Sequence, residues 1–512
     1  MTTDRRRITI SGGDLSIEDL ISIARFNVSL KLSNDIKEKI KQARSLIKKF
    51  VNEQRVIYGI TTGIGDNSKI KIDREESKEL QKNLLRSHAC GVGEALDKEM
   101  TKSVMVMMIK NLSLGYSGVR LETVESLIKL VNHNVIPLVP REGSLGYLSY
   151  QAHISLVLIG EGEAYYQGEL LEGETALKRA GLKPIDLYEK EGLSLINGTV
   201  DMTAIGAIAV YDAINLLKTA DLVSMVSFEA LRGTNDAYDA RISCVKPHPG
   251  QKATMTNLNN LLNGSEIAEE FKGHRTQDAL SIRSIPQVHG ACKDAINYAK
   301  QVIEREMNSA TDNPLVFDSE SGGVAISSAN CHGESMAMAL DFLAISLTEI
   351  ANISERRVFR LVSSQHSDLP PFLVENGGAN SGYMIPQYVA ASLVSDNKRY
   401  SNPSVVDSIP TAAGQEDHTS MGTSSSLKAL KVIANTQRVI GIELMCGCQG
   451  IDYLRPLKSS PGIEITHNIL RSYIPKLKKD RVMYSDIQKV ETLIKTEEIL
   501  KEVEDRVGQL IT

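Results

Sequence analysis

Apolar residues recur along this chain at two scales. From residue 201 onward they return every three or four positions through five long stretches: 201–232, 285–308, 334–363, 380–396 and 420–450. That is the period of an α-helix. These stretches stay apolar around more than one face, so each predicted helix needs partners on every side. A parallel multi-helix bundle or an oligomer would supply them. Polar or glycine-rich segments at 233–275, 309–333, 364–380 and 397–419 separate them and read as loops. Upstream the units are shorter. Residues 5–20 begin as a strand and turn, and residues 16–25 read as a helix capped at its start. Residues 33–54 form a lysine-rich amphipathic helix with Ile36, Ile40, Ala43 and Ile47 on one stripe. Helical spacing stops at a Gly/Thr loop, 56–65, and returns at 74–90 and 97–114, the latter stopped by Gly115 and Gly118. Residues 165–190 read as a β-containing surface excursion. From Leu457 onward the pattern predicts amphipathic helices on the outside.

Composition narrows this picture. A length of 512 residues suggests two or three domains, and an apolar fraction of 42% is enough for a large core. There is no Trp, while Ala, Ser and Met are common on the long stretches, which suits close helix packing. The net charge of −5 is spread along the chain, which excludes a nucleic-acid platform with a clustered basic face. No uninterrupted apolar run reaches the roughly 18 residues of a membrane span. The start, Arg5-Arg6-Arg7 and then Ile8-Thr9-Ile10, is too short for a signal-peptide core and reads as a solvated lead into the first strand. Six cysteines show no disulfide spacing. Cys446-Gly447-Cys448 lacks a second pair at zinc spacing and reads as two small residues in a buried helix. A reducing cytoplasm is the compartment expected.

Several segments carry candidate chemistry. The chain is organised around Gly143-Ser144-Leu145-Gly146-Tyr147-Leu148-Ser149-Tyr150-Gln151-Ala152-His153, which runs on into an apolar helical segment closed by Glu161-Gly162-Glu163-Ala164. Tyr58, in the loop Tyr58-Gly59-Ile60-Thr61-Thr62-Gly63, could project a phenol into a cavity or pack on a turn. With an ordinary pKa near ~10, it serves as a base only where its phenolate is stabilised. Arg283 offers a planar fork for a carboxylate, or a surface ion pair. Asn197 and Gln277 could hydrogen-bond a substrate, or cap a loop or helix. Lys398 and Arg399 read as a substrate contact or as surface charge. Glu416-Asp417-His418 cannot converge on one metal ion as consecutive residues, and no metal is expected there.

The organising stretch resembles the core of the aromatic amino-acid lyases, the histidine and phenylalanine ammonia-lyase family. The resemblance extends over roughly residues 5–510 through Tyr58–Gly63, Ser87-His88-Ala89-Cys90-Gly91-Val92-Gly93, Leu195-Ile196-Asn197-Gly198-Thr199, Gln277-Asp278 with Arg283, Asn308-Ser309-Ala310-Thr311-Asp312-Asn313-Pro314-Leu315, and Gln415-Glu416-Asp417-His418. It implies a mainly α, histidine ammonia-lyase-like fold: an N-terminal mixed domain, 1–200, and a helical bundle, 201–512, carrying Arg283 and Glu416. It also implies a homotetramer with shared active sites, acting on a small molecule, with no nucleic-acid or membrane partner. Tyr58 would remove the β-proton and Arg283 would hold the substrate carboxylate. His88 and Glu416 match the pair that contacts imidazole in the histidine-specific branch.

Three departures stand out. The family's Ala-Ser-Gly, which cyclises into the electrophile methylidene-imidazolone, is absent, and Tyr147 follows Gly146 directly. Ser149 is followed by Tyr150 where that cyclisation needs glycine, so no such cofactor is expected. Leu280 stands where the family has a catalytic tyrosine, and Cys331 where it has an aromatic at the amine end. A quaternary amine needs no electrophile to leave. The expectation drawn from these departures is therefore trimethylamine elimination from ergothioneine, a thioimidazole histidine betaine, giving thiourocanate. In that reading Tyr58 and Glu416 are catalytic, and His88, Asn197, Gln277, Arg283 and Lys398 bind substrate. The alternatives are another electrophile-free elimination or isomerisation of an imidazole-bearing amino acid, or an inactive homologue.

Overall fold

A computed structural model describes residues 7–320 and 322–512, so Arg5 and Arg6 of the N-terminal run lie outside the described residues. Contacts divide the chain into two compact units. The first takes in residues through 208 with 300–340 and 403–427; the second comprises 209–299, 341–402 and 428–512. Glu416 is thus grouped with Tyr58, and Arg283 lies in the other unit.

In the first unit, strand Arg7–Ile10 pairs in parallel with Ser29–Leu32. The helix between them, Ile17–Ala24, starts at a capping box in which Ser16 and Asp19 bond each other's backbone N–H. Helix Asn34–Asn52 buries Ile36, Ile40, Ala43 and Ile47, the stripe its spacing predicted. Helix Lys98–Ser113 is the centre of this unit and is buried without a break from Thr101 to Ser113. The two lysines in that buried stretch are satisfied from the side: Lys102 Nζ donates to Asn27 and Asn134 at 2.7 and 2.6 Å, and Lys110 Nζ to the Gly13 carbonyl at 3.1 Å. The surface excursion is a small antiparallel sheet, Ile136–Pro137, Glu163–Tyr166 and Glu169–Glu172, followed by helix Gly173–Arg179. Segment 309–333, expected as loop, contains an antiparallel pair, Leu315–Phe317 with Val324–Ile326. Val316 there packs in one apolar cluster with Ile47 and Phe50, so a three-residue run too short to show a period is fixed by burial.

The second unit holds most of the long helical stretches. Segment 233–275, also expected as loop, contains helix Pro249–Leu262. Pro-Gly reads as a turn, yet proline at the first helical position costs nothing because its missing N–H is unneeded there. Charges are buried in pairs: Arg357 Nη2 donates to Glu443 at 2.9 Å and Ser227 donates to the same carboxylate at 2.6 Å. Asp221 is held by Lys293 at 2.6 Å and His289 at 2.8 Å. Cys446 and Cys448 are both buried in helix Gly422–Ile451. The C-terminal helices Pro461–Tyr473, Tyr484–Lys495 and Glu498–Val507 each bury one apolar face. Segments 191–230 and 334–362 are as long and apolar as membrane spans, contrary to the expectation that no stretch reaches that length. Their most apolar windows are 100% and 72% buried inside the protein, as core helices are.

Candidate active site

The Tyr58 loop is built by its threonines. Thr61 Oγ1 accepts from the Ile57 N–H at 2.9 Å and donates to the Arg55 carbonyl at 2.6 Å, closing the turn. Gly59 has φ +62°, and a Cβ there would stand 2.3 Å from Leu193, so only glycine fits beside Tyr58. The Tyr58 phenol oxygen accepts the Gly65 N–H at 3.0 Å, which fixes the ring.

The organising stretch is anchored by a buried carboxyl. Thr423 and Ser144 donate to Asp201 Oδ2 at 2.8 and 3.3 Å, tying this loop to the start of helix Val200–Ala230. Burial pushes the Asp201 carboxyl up to about 6, against the downward pull of those hydroxyls. Between the unfolded value of 3.8 and about 6, the folded protein holds a proton that the unfolded chain has released. Stability from this group is therefore whole below the unfolded pKa and is lost as pH rises through the folded one. Asp201→Asn is expected to raise the unfolding midpoint at pH 7.5 by up to about 3 kcal/mol of stability, and to gain nothing at pH 3.5. Urea denaturation of both proteins at the two pH values checks this.

Gly146 makes a close approach: a Cβ there would lie 2.8 Å from Ser420 Oγ and 2.9 Å from Met202 Cε. The next residues close a γ-turn, with Ser149 N–H donating to the Tyr147 carbonyl at 3.2 Å and Leu148 at φ 80°, ψ −60°. That geometry is rare and strained for a residue with a side chain. Helix Ser149–Leu158 starts immediately, with Tyr150 fully buried. These residues do not fit a methylidene-imidazolone. No Ser-Gly step is present, and the nitrogen after Ser149 belongs to a tyrosine whose ring is locked in the core and whose hydroxyl donates to the Arg141 carbonyl.

The Tyr147 phenol lies near Glu416, Cys331 and Tyr58. Burial first, then the charge of Glu416, then Cys331, hold that phenol well above its ordinary value, and it donates a hydrogen bond to Glu416; Tyr58 also lies close enough to act on it. Tyr147 is consequently a donor at neutral pH and not a base. Glu416 is held by its own loop: Thr411 donates to its carboxylate at 3.2 Å and the two residues form a β-bridge. His88 ends helix Arg74–His88. Its Nδ1 lies 2.8 Å from the Leu84 carbonyl, which makes Nδ1–H the donor and leaves Nε2 with a free lone pair. Burial pushes the ring below its ordinary value, opposed by the Leu84 carbonyl and the Glu416 charge, so His88 is neutral at pH 7. His153 joins this motif to the organising helix by accepting the Gly91 N–H at 3.2 Å. Cys331 is pushed up to about 11 by burial and then by the charges of Asp312 and Glu416, and so is a thiol.

Asn197 is committed elsewhere. Its amide donates to Asp312 at 3.2 Å and to the Asn313 carbonyl at 2.9 Å, while its oxygen accepts the Gly198 N–H at 3.1 Å. Asp312 in turn pairs with Lys190 at 2.7 Å, both wholly buried. In the second unit, Gln277, Leu280 and Arg283 line a cavity of about 500 Å³. Leu280 is 61% exposed there. Arg283 Nε donates to the Asp278 carbonyl at 3.0 Å, and among the described residues no carboxylate pairs with it, which leaves its fork available. Lys398 sits exposed in the last turn of helix Met384–Tyr400, without an ion pair among the described residues.

Residues 15–472 match the family described as aromatic amino acid lyase. The chain belongs to that family. The lyase is 47% identical over 505 residues to histidine ammonia-lyase of Alkaliphilus oremlandii, covering 98% of this chain and 99% of the relative. The crystal structure of histidine ammonia-lyase from Trypanosoma cruzi superposes with a TM-score of 0.91 at 40% identity, covering 98% of this chain and 95% of that one. Ergothionase from Treponema denticola, solved with desmethyl-ergothioneine sulfonic acid, has the same TM-score of 0.91 at only 27% identity, covering 97% and 100%. By family the lyase acts on carbon–nitrogen bonds. The expectation of ergothioneine as substrate is overturned by these values. Three missing residues and two substitutions carried that reading, and identity over nearly the whole chain outweighs them. Sequence reasoning also passed over Tyr147 as a site residue. Its position directly after Gly146, where the electrophile segment is deleted, was the available signal.

Proposed function

We propose that the lyase eliminates the amine from an imidazole-bearing α-amino acid of the histidine class, without an electrophile made from its own backbone. The observation that carries this reading is the neutral His88 beside Glu416, with the Tyr147 and Tyr58 phenols in the same group. Glu416 accepts a ring N–H, and the free Nε2 of His88 accepts a second donor from the substrate. Tyr58, having first released its own proton to solvent, takes the β-proton as a phenolate; the C–H electron pair becomes the Cα–Cβ double bond, the carbon–nitrogen bond breaks with its pair going to nitrogen, and the α-ammonium leaves as neutral ammonia. Tyr147 keeps Glu416 oriented and protects it from bulk water. Arg283 clamps the substrate carboxylate; a neighbouring copy supplies it, with Gln277, in a homotetramer with shared active sites. The whole-chain likeness to histidine ammonia-lyases supports the substrate class. Six free cysteines support a reducing cytoplasm.

L-histidine is expected to yield urocanate and ammonia in equal amounts, with phenylalanine and tyrosine inert. Ultraviolet absorbance of the acrylate and an ammonia assay report this together. Calorimetric binding of histidine with neither product would make the chain a non-catalytic binder of imidazole acids.

A further inference from the structure

His332 and Glu334 flank Gly333 at the start of helix Glu334–Val362, and His418 comes from the loop before helix Gly422–Ile451. The sequence sets His418 beside Glu416 and Asp417, an arrangement that cannot chelate. The fold instead brings His418 to His332 and Glu334, and one donor atom from each lies within 4.8 Å of the others. His332 Nε2 and His418 Nδ1 are 3.3 Å apart. That is the edge of a tetrahedron with metal–nitrogen bonds of about 2.0–2.1 Å. An N–H···N bond between the two rings would also account for this distance. It would not account for Glu334 Oε2, which is buried without a hydrogen-bond partner. A buried carboxylate oxygen left so is costly, and a cation held by the three residues would bind the Glu334 carboxylate together with both imidazoles.

We infer that His332, Glu334 and His418 bind a divalent transition-metal ion of the zinc class. Two imidazoles and one carboxylate are a donor set for zinc, and too rich in nitrogen for magnesium or calcium. Drawing donors that lie within 4.8 Å of one another to bonding separation needs side-chain movements of at most about 1.5 Å. Three protein ligands leave a position open, and the exposed His418 ring puts that position on the accessible side. The inferred site adjoins the candidate active site, since Cys331 precedes His332 and Glu416 lies two residues before His418. An ion there would accept a lone pair from a substrate amine or carboxylate. That role rests on the functional reading above, whereas the binding does not.

Tag-free protein stripped with a chelator and titrated with Co²⁺ is the test, because cobalt reports its ligands by visible absorbance. One Co²⁺ per chain is expected, with a visible d–d band and no thiolate charge-transfer band. His332→Ala, His418→Ala and Glu334→Gln should each weaken Co²⁺ binding at least 100-fold while keeping the wild-type melting profile. Asp417→Asn, beside the cluster, should bind as the wild type does. Absent saturable binding, a thiolate band, or unchanged affinity in His418→Ala would each overturn the inference. A chain that binds Co²⁺ as expected yet leaves histidine untouched overturns the proposed function and not the site.

Discussion

Tyr58→Phe is expected to lower kcat/KM for histidine by 10²- to 10⁴-fold, the range set by removing a positioned general base, with KM little changed. Phenylalanine keeps the ring but removes the oxygen that accepts the Gly65 N–H, so an unchanged melting profile of the variant is what assigns the loss to chemistry. Two phenols lie near each other here, and the proposed function gives them opposite roles. Tyr147 donates to Glu416 and is held protonated by burial and by that charge. Tyr147→Phe should therefore cost about tenfold, chiefly in KM, as a lost hydrogen bond would. Steady-state kinetics of both variants decide the assignment. If Tyr147→Phe proves the more damaging in kcat, the base has been placed on the wrong ring.

Asp312→Ala is expected to destabilise the protein by about 3–5 kcal/mol, because it leaves a buried Lys190 ammonium uncompensated. The pair is 2.7 Å apart with both side chains at 0% exposure, and burial already pushes Lys190 below its ordinary value. Replacing both partners with apolar residues, Lys190→Met with Asp312→Leu, should recover most of that loss, since no charge is then stranded. Urea denaturation of the single and double variants measures this. The same carboxylate accepts the Asn197 amide, so the double variant is expected to fold with that one hydrogen bond lost.

The motifs that carry Tyr58, His88 and Glu416 were legible in the sequence because each is short and of fixed spacing, and the fold brings the three near one another. Asn197 was legible as a motif residue and opaque as to what it does. Its bonds go to Asp312 and Asn313, more than a hundred positions downstream. Tyr147 and the His332–Glu334–His418 cluster escaped for a related reason. Their partners come from segments whose meeting no local pattern encodes. The antiparallel pair at 315–326 and the helix Pro249–Leu262 were missed for want of a visible period or because of a misleading turn signal.

By itself, the sequence determined the long helices, the cap at Ser16, the family and the lack of an Ala-Ser-Gly in the organising stretch. Helical periods and motif spacings are local properties, set by residues three or four apart or within a single loop. Only the tertiary structure decided that Glu416 shares a unit with Tyr58, that a strained turn at Leu148 aims Tyr147 at Glu416, and that His418 meets a histidine 86 residues away. Those pairings follow from the burial of whole helices, and no stretch of the chain specifies them alone.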